Sequence, residues 1–395
     1  MKRGHVCQGR QVFSGRVNQM MMNDGVSDDV MKRFYGVIPA GGTGTRLWPL
    51  SRAAAPKFLH DLTGCGSTLI RSTYERLLPL TNERVLVVTG QAHGEAVRRQ
   101  ITELREHDLV LEPEPKDSAA AIGLAAAILN KFNPDIIMGS FAADQVITPE
   151  AQFRDAVVEA VHVAATGKIV TIGITPTYAA TGFGYIRAGK KLNIPGAPNG
   201  RKVVEFVEKP GEAAAQRYLA SGNYLWNAGM FVAPVGLMLK HLRENEPALA
   251  AGLEEIADAW GTDRQQQVMN DVWPGLPKTA IDYAVAEPAA AAGDVAVVPG
   301  EFTWDDVGDF AALGRLNPAE DDSRVKVLGH GGRVYVDESS GIVVSDTNRV
   351  IALIGVEDVV VVDTPDALLV TTKSHAQQVK DAVNALKAHG QTDVL

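Results

Sequence analysis

The chain has 395 residues, of which 46% are hydrophobic and 22% charged, with a formal net charge of −9. That length exceeds one typical domain and supplies ample core material, while the acidic balance argues against a nucleic-acid partner. No apolar run reaches membrane-spanning length, and the only two cysteines, Cys7 and Cys65, exclude a disulfide scaffold and fit a reducing cytoplasm.

Residues 1–32 carry basic charge without a signal-peptide core, and are expected to be a disordered N-terminal extension. A domain spanning 33–317 follows. Tyr35 to Ile38 reads as a short buried strand. It runs into Pro39-Ala40-Gly41-Gly42-Thr43-Gly44-Thr45-Arg46-Leu47-Trp48-Pro49-Leu50-Ser51, with Pro56-Lys57 close behind. Three glycines in four positions let backbone N–H groups crowd onto an anion. Arg46 and Lys57 add two cations, so the stretch reads as a polyphosphate site. No Gly-Lys-Ser/Thr ends the run, which excludes a Walker loop. Leu47 stands where a dinucleotide fingerprint needs its third glycine, which argues against an oxidoreductase.

Further along, helical periodicity covers Ser67 to Leu78, and Arg84 to Thr89 reads as a second strand. A helix around Glu95 to Leu104 follows. Glu112-Pro113-Glu114-Pro115-Lys116-Asp117-Ser118 reads as a rigid loop, with Asp117 or Ser118 capping the alanine-rich helix from Ala119. Strands are expected over Asp135–Gly139 and Lys168–Ile174, separated by a helix from Arg154 to Ala165. This alternation predicts a mainly parallel sheet. Thr181 to Ile186 reads as a glycine-aromatic loop, and Val203 to Val207 as a strand running into Glu208-Lys209-Pro210. A short strand over Ala296 to Val298 leads to Phe302-Thr303-Trp304-Asp305-Asp306-Val307-Gly308.

A polar boundary is expected near 317–322. Over 323–395, strand candidates begin at Arg333, Gly341, Val350, Val359 and Ala367, the even spacing of an all-β unit. Hairpins and coils of a β-helix remain equally open. Ser374 to His389 reads as a closing helix, with Ser374 and Gln377 forming a capping box.

A triphosphate held by the glycine loop needs charge neutralisation, and magnesium takes one or two carboxylates with phosphates and waters. Asp144 and Asp306 each follow a strand-like segment at the same sheet edge and are the candidate ligands; the plain alternative is a turn former or cap. Alternation points the adjacent Asp305 the other way.

The ordered series of motifs, from Gly41-Gly42-Thr43-Gly44-Thr45-Arg46-Leu47-Trp48-Pro49-Leu50-Ser51 through Glu208-Lys209-Pro210, Leu225-Trp226-Asn227-Ala228-Gly229-Met230-Phe231 and Trp304-Asp305-Asp306-Val307-Gly308, resembles the sugar-phosphate nucleotidyltransferases. Trp48 makes it most similar to the guanylyltransferases acting on mannose 1-phosphate. The resemblance implies a Rossmann-like α/β nucleotidyltransferase domain with a mainly parallel sheet, plus a smaller β-rich C-terminal domain ending in a helix. It implies transfer of GMP from GTP to mannose 1-phosphate, giving GDP-mannose and pyrophosphate, with Mg2+ on Asp144 and Asp306. It places Arg46 and Lys57 on the transferring phosphate, and Ala40, Gly41, Gly42, Gly44, Thr45 and Ser118 around the nucleotide. Gly184, Glu208, Lys209, Asn227 and Asp282 fall at the sugar phosphate; Glu287 shares the Asp282 motif, with a structural cap as the rival for both. Guanine presents donors, so a carboxylate is the expected reader, and Glu112 and Asp117 both qualify. Departures from the family pattern are Lys116, Ser118, Gln145 and Asp309-Phe310. The β-rich tail looks too short for the isomerase domain that some relatives carry. Within the class, a different sugar or base (GDP-glucose, a UDP- or dTDP-sugar) is the nearest alternative; a regulatory subunit without turnover is the different-class one. The resemblance leaves room for a homodimer.

Overall fold

The structure is a computed structural model that describes residues 27–316, 324–329 and 333–395. The expected boundary at 317–322 and the extension as far as residue 26 lie outside the described residues. Ser27–Met31 is one helical turn, whose Met31 is buried against the sheet.

Strands β1 (Phe34–Ala40), β2 (Val85–Gly90), β3 (Leu109–Glu112) and β4 (Ile137–Ser140) open the chain; a short β5 (Val146–Thr148) and β6 (Ile169–Ile174) follow. Then come β7 (Gly184–Lys191), β8 (Arg201–Val207), β9 (Tyr224–Pro234), β10 (Val295–Gly300) and β11 (Thr303–Asp305). Nine of these form one sheet in the order β3-β2-β1-β4-β9-β6-β10-β8-β7. The pairings run β3, β2, β1, β4, β6, β10 and β7 in one direction, as a mainly parallel sheet requires, and β9 and β8 in the other, which makes the pairings of those two strands antiparallel. Helices cover both faces because successive side chains of a buried strand point to opposite sides. In β1, Ile38 and Ala40 enter one apolar cluster and Val37 the other. The second cluster centres on the helix Ser118–Phe132, whose alanines allow close helix–sheet approach.

β9 is the element that positions the site. Its second half pairs antiparallel with β4, Ser140 opposite Phe231. Its first half pairs with β6 and β7, where Gly173 and Gly184 both register on Asn227. An antiparallel strand begins where its parallel neighbours end. Asn227 therefore reaches the edge at which β1 and β4 deliver the glycine loop and Asp144. β5 and β11 form a separate two-stranded ribbon, Asp305 opposite Val146, that carries Asp306 beside Asp144.

In the C-terminal unit the parallel pairings decide for coils. β12 (Val325–Leu328), β14 (Gly341–Ser345) and β16 (Val359–Asp363) stack in one sheet, while β13 (Arg333–Asp337) and β15 (Val350–Ile354) stack in another. Successive strands thus alternate between two sheets, with β17 (Leu368–Thr372) added antiparallel. The closing helix begins later than expected. Lys373–Gln378 is a 3-10 segment, and the α-helix covers Val379–Ala388. The expected Ser374–Gln377 capping box is absent: Ser374 Oγ pairs with His375 and Thr372, and Gln377 turns elsewhere. The coils pack directly on the glycine-loop region, where Leu47, Leu62, Val307 and Phe310 share one cluster with Ile342, Val344, Val360 and Val362.

Candidate active site

The glycine loop follows β1. The buried Ala40 closes the strand, its carbonyl accepting from Thr89 Oγ1 at 2.8 Å. Side chains at Gly41 and Gly42 would meet nothing within 4 Å, so these positions border open space. Gly44 differs: it is left-handed at φ 61°, and a Cβ there would stand 2.9 Å from both Lys57 Cβ and Ser51 Oγ. Only glycine fits such a position. Thr45 opens a 3-10 turn, Thr45–Leu47, that buries Leu47 and presents Arg46.

Lys57 is the best-anchored cation. Its ammonium lies 2.7 Å from Asp144 Oδ2 and also donates to the carbonyl of Asp306, with the residue 8% exposed. Those bonds take two of its three N–H groups. The carboxylate of Asp306 lies beside Arg46: a side chain at Gly308 would be 3.3 Å from Asp306 Oδ1 and 3.6 Å from Arg46 Nη2. Burial raises the Asp306 carboxyl above its usual range, Lys57 opposing and Asp305 and Asp144 adding to the rise. Asp305 is used structurally. It accepts from Val307 N at 2.7 Å and pairs with Arg315 at 3.3 Å, so alternation separates it from Asp306 as expected. Among the described residues, no group of three or more His, Cys, Asp or Glu side chains gathers to hold a metal. The hard oxygens of Asp144 and Asp306 nonetheless suit magnesium, which completes its shell with phosphate oxygens and water.

A second cluster surrounds Asn227, which is 6% exposed. Its Oδ1 accepts from Thr171 Oγ1 at 2.7 Å and Gly229 N at 3.1 Å, and its Nδ2 donates to Asp282 Oδ1 at 2.9 Å. These bonds fix the amide orientation. Burial, with Glu208 adding, pushes the Asp282 carboxyl up to about 6. Glu208 Oε1 pairs with Lys209 Nζ at 2.8 Å, and the pair raises the lysine although burial alone would lower it. Glu208 Oε2 is buried without a hydrogen-bond partner among the described residues, and a Cβ on Gly184 would stand 2.5 Å from it. Glu287 Oε1 accepts from Glu208 N at 3.3 Å, a supporting contact.

At the other end, Glu112 closes β3 beside Gly90 of β2. It is buried, Oε1 lacks a partner among the described residues, and burial pushes its carboxyl up to about 7. Asp117 and Ser118 are occupied otherwise. Asp117 caps the helix by accepting from Ser118 N at 2.7 Å, and Ser118 Oγ accepts from Ile281 N at 2.9 Å.

Strands lie roughly 4.8 Å apart. Along this edge, Glu112 on β3 therefore stands about 10 Å to one side of the loop after β1, with Asp144 after β4 and Asn227 on β9 to the other side. Gln145 Nε2, donating to Ala228 O at 3.0 Å, ties the last two together. The sequence pattern did not single out Thr171, which orients Asn227, nor the link between Gln377 and Asp309. Nothing local signals either, because the partners lie far apart in the chain.

The Nucleotidyl transferase family matches residues 35–323, and the MannoseP isomerase/GMP-like beta-helix domain matches residues 331–386. The chain is 36% identical over 366 residues to the mannose-1-phosphate guanylyltransferase ManC of Salmonella typhimurium, covering 91% of this chain and 74% of that protein. It is 37% identical over 361 residues to the xanthan biosynthesis protein XanB of Xanthomonas campestris pv. campestris, covering 90% and 74%. A crystal structure described as mannose-1-phosphate geranyltransferase, from Thermus thermophilus, superimposes with a TM-score of 0.79 at 32% identity, over 90% of this chain and 99% of that one. Matched over most of its length in sequence and in fold, the chain belongs to the nucleotidyl transferase family.

Proposed function

We propose that the protein transfers GMP from GTP to α-D-mannose 1-phosphate, giving GDP-mannose and pyrophosphate. One observation carries this reading: the order of groups along the sheet edge. A buried unpartnered carboxylate oxygen of Glu112, the glycine loop with Arg46 and Lys57, the Asp144–Asp306 pair, and the Asn227–Asp282–Glu208–Lys209 cluster follow one another. The covalent order of the product, guanine, diphosphate, mannose, is the same.

Glu112 is the guanine reader, its Oε1 accepting from the base; its buried, unpartnered oxygen supports it over Asp117, which is exposed and caps the adjacent helix. Ala40, Gly41, Gly42, Gly44 and Thr45 line the phosphates, and Ser118 holds the adjacent helix start. Arg46 and the third N–H of Lys57 stabilise the charge that develops at the α-phosphorus. Mg2+ bound by Asp144 and Asp306 would neutralise the phosphate oxygens. Glu208 Oε2, Asn227 and Asp282 hold sugar hydroxyls, Gly184 admits the ring, and Lys209 holds the sugar's phosphate. A phosphate oxygen of mannose 1-phosphate attacks the α-phosphorus in line. The new P–O bond forms as the bridging P–O bond breaks, and pyrophosphate departs with the electron pair. No general base is needed, because the attacking phosphate is already ionised.

The extents of the two family matches support dividing the chain into a catalytic unit, 33–317, and a C-terminal unit, 323–395. Pyrophosphate release tests the reading. With Mg2+, GTP and mannose 1-phosphate should be the productive pair among GTP, ATP, UTP and dTTP offered with mannose or glucose 1-phosphate. Release should stop on chelation. Folded protein that releases nothing with any pair would overturn it.

A further inference from the structure

Gln377 belongs to the C-terminal unit, yet its side chain reaches the glycine-loop region. Its Oε1 accepts from Arg46 Nη1 at 2.9 Å, and its Nε2 donates to Asp309 Oδ2. Arg46 can only donate and an ionised Asp can only accept. The amide satisfies both ends at once, with its oxygen toward Arg46 and its NH2 toward Asp309, and its orientation is thereby fixed. Asp309 is itself held, 8% exposed, with Oδ1 accepting from Ala312 N at 2.8 Å at the start of the helix Phe310–Leu316. The relay rests on a firm dock. Trp48 Nε1 donates to Val394 O at 2.7 Å, its ring packs on Val379 and Val383, and Arg52 grips Asp366 with two bonds at 2.5 and 2.6 Å.

We infer that Gln377 is a positioning residue, through which the C-terminal unit aims Arg46 at the triphosphate. The inference rests on the site reading above, in which Arg46 touches the transferring phosphate. Loose guanidinium torsions would otherwise let Arg46 sample solvent; the Asp309–Gln377 chain removes that freedom before substrate arrives. Asp309 supplies the carboxylate that makes the amide point the right way.

Steady-state pyrophosphate release on the full-length protein tests it. Gln377→Ala should lower kcat/KM for GTP about tenfold, with KM for mannose 1-phosphate within twofold and Tm unchanged. In an Arg46→Ala background the same substitution should have no further effect, since its action runs through Arg46. Gln377→Glu should be impaired by repulsion from Asp309, and Asp309→Asn should rescue it by restoring a donor to the new carboxylate. An unchanged or raised kcat/KM in Gln377→Ala, or an equal loss with and without Arg46, overturns the inference. If Arg46→Ala alone leaves turnover intact, it is the site reading that fails.

Discussion

Gly184→Ala is the sharpest probe of the sugar end of the site. An added Cβ would stand 2.5 Å from Glu208 Oε2 and 3.1 Å from Asn227 Cβ. Asn227 cannot retreat, because Thr171, Gly229 and Asp282 fix it. The Glu208 carboxylate must yield instead, by roughly 1 Å to reach ordinary contact, although its side chain is only 5% exposed and tied to Lys209. Such overpacking costs the fold about 1–3 kcal/mol. The same displacement takes Oε2 out of hydrogen-bond range of a sugar hydroxyl, a loss of about 1.5–3 kcal/mol for a charged acceptor. That corresponds to a fall of roughly 10- to 150-fold in kcat/KM for mannose 1-phosphate. KM for GTP should hold steady. Gly182→Ala is the control, since a Cβ there, two residues before β7 begins, meets nothing within 4 Å. Saturation curves for both substrates, measured on both variants, decide the matter. Equal behaviour of the two variants, or a Gly184→Ala enzyme with normal mannose 1-phosphate kinetics, would refute the reasoning.

Asp306→Asn should abolish pyrophosphate release and leave Tm unchanged or raised, because burial already disfavours the ionised carboxylate; turnover near wild type would remove Asp306 from the reaction. For Glu112, the folded value of about 7 lies above the ordinary 4.5, so its contribution to stability is whole below about 4.5 and is lost as pH rises through about 7. At 1.36 kcal/mol per pH unit this bounds the loss at roughly 3 kcal/mol, and Glu112→Gln should flatten the decline of Tm between pH 5 and 8. Parallel Tm profiles for the two proteins would show that Glu112 does not titrate in this way. Guanine donors favour the ionised form, so KM for GTP should fall as pH rises from 6 to 8 in the wild type and stay flat in Glu112→Gln. Trp48→Ala removes a buried ring and its bond to Val394, and should cost about 3–5 kcal/mol of unfolding free energy in denaturant titration. A loss below 1 kcal/mol would mean that the two units do not depend on this dock.

What the sequence determined by itself is written in near neighbours. Glycine spacing, alternation and turn residues located β1 with its anion loop, the capped helix at Asp117, and the C-terminal strands at Arg333, Gly341, Val350 and Val359. Elements whose identity depends on pairing were not legible. β9 contains Asn227 and a Gly229 at φ 69°, features that interrupt a strand pattern; three neighbouring strands hold it extended. β3 is four residues long and exists because β2 offers it an edge. Hairpins and coils share one local pattern, and only the parallel register of β12, β14 and β16 separates them. At the candidate site, residue type proposed Lys57, Asp144 and Asp306, and the family resemblance added Glu208. Only tertiary packing distinguishes Glu112 from Asp117: it buries one carboxylate with an oxygen that has no partner among the described residues, and sets the other at a helix cap. It also took Gln377 from the local capping box its spacing suggested to Arg46, a residue 331 positions away. A hydrogen-bonding group goes to whichever partner the folded chain brings within about 3 Å, and sequence distance does not enter that choice.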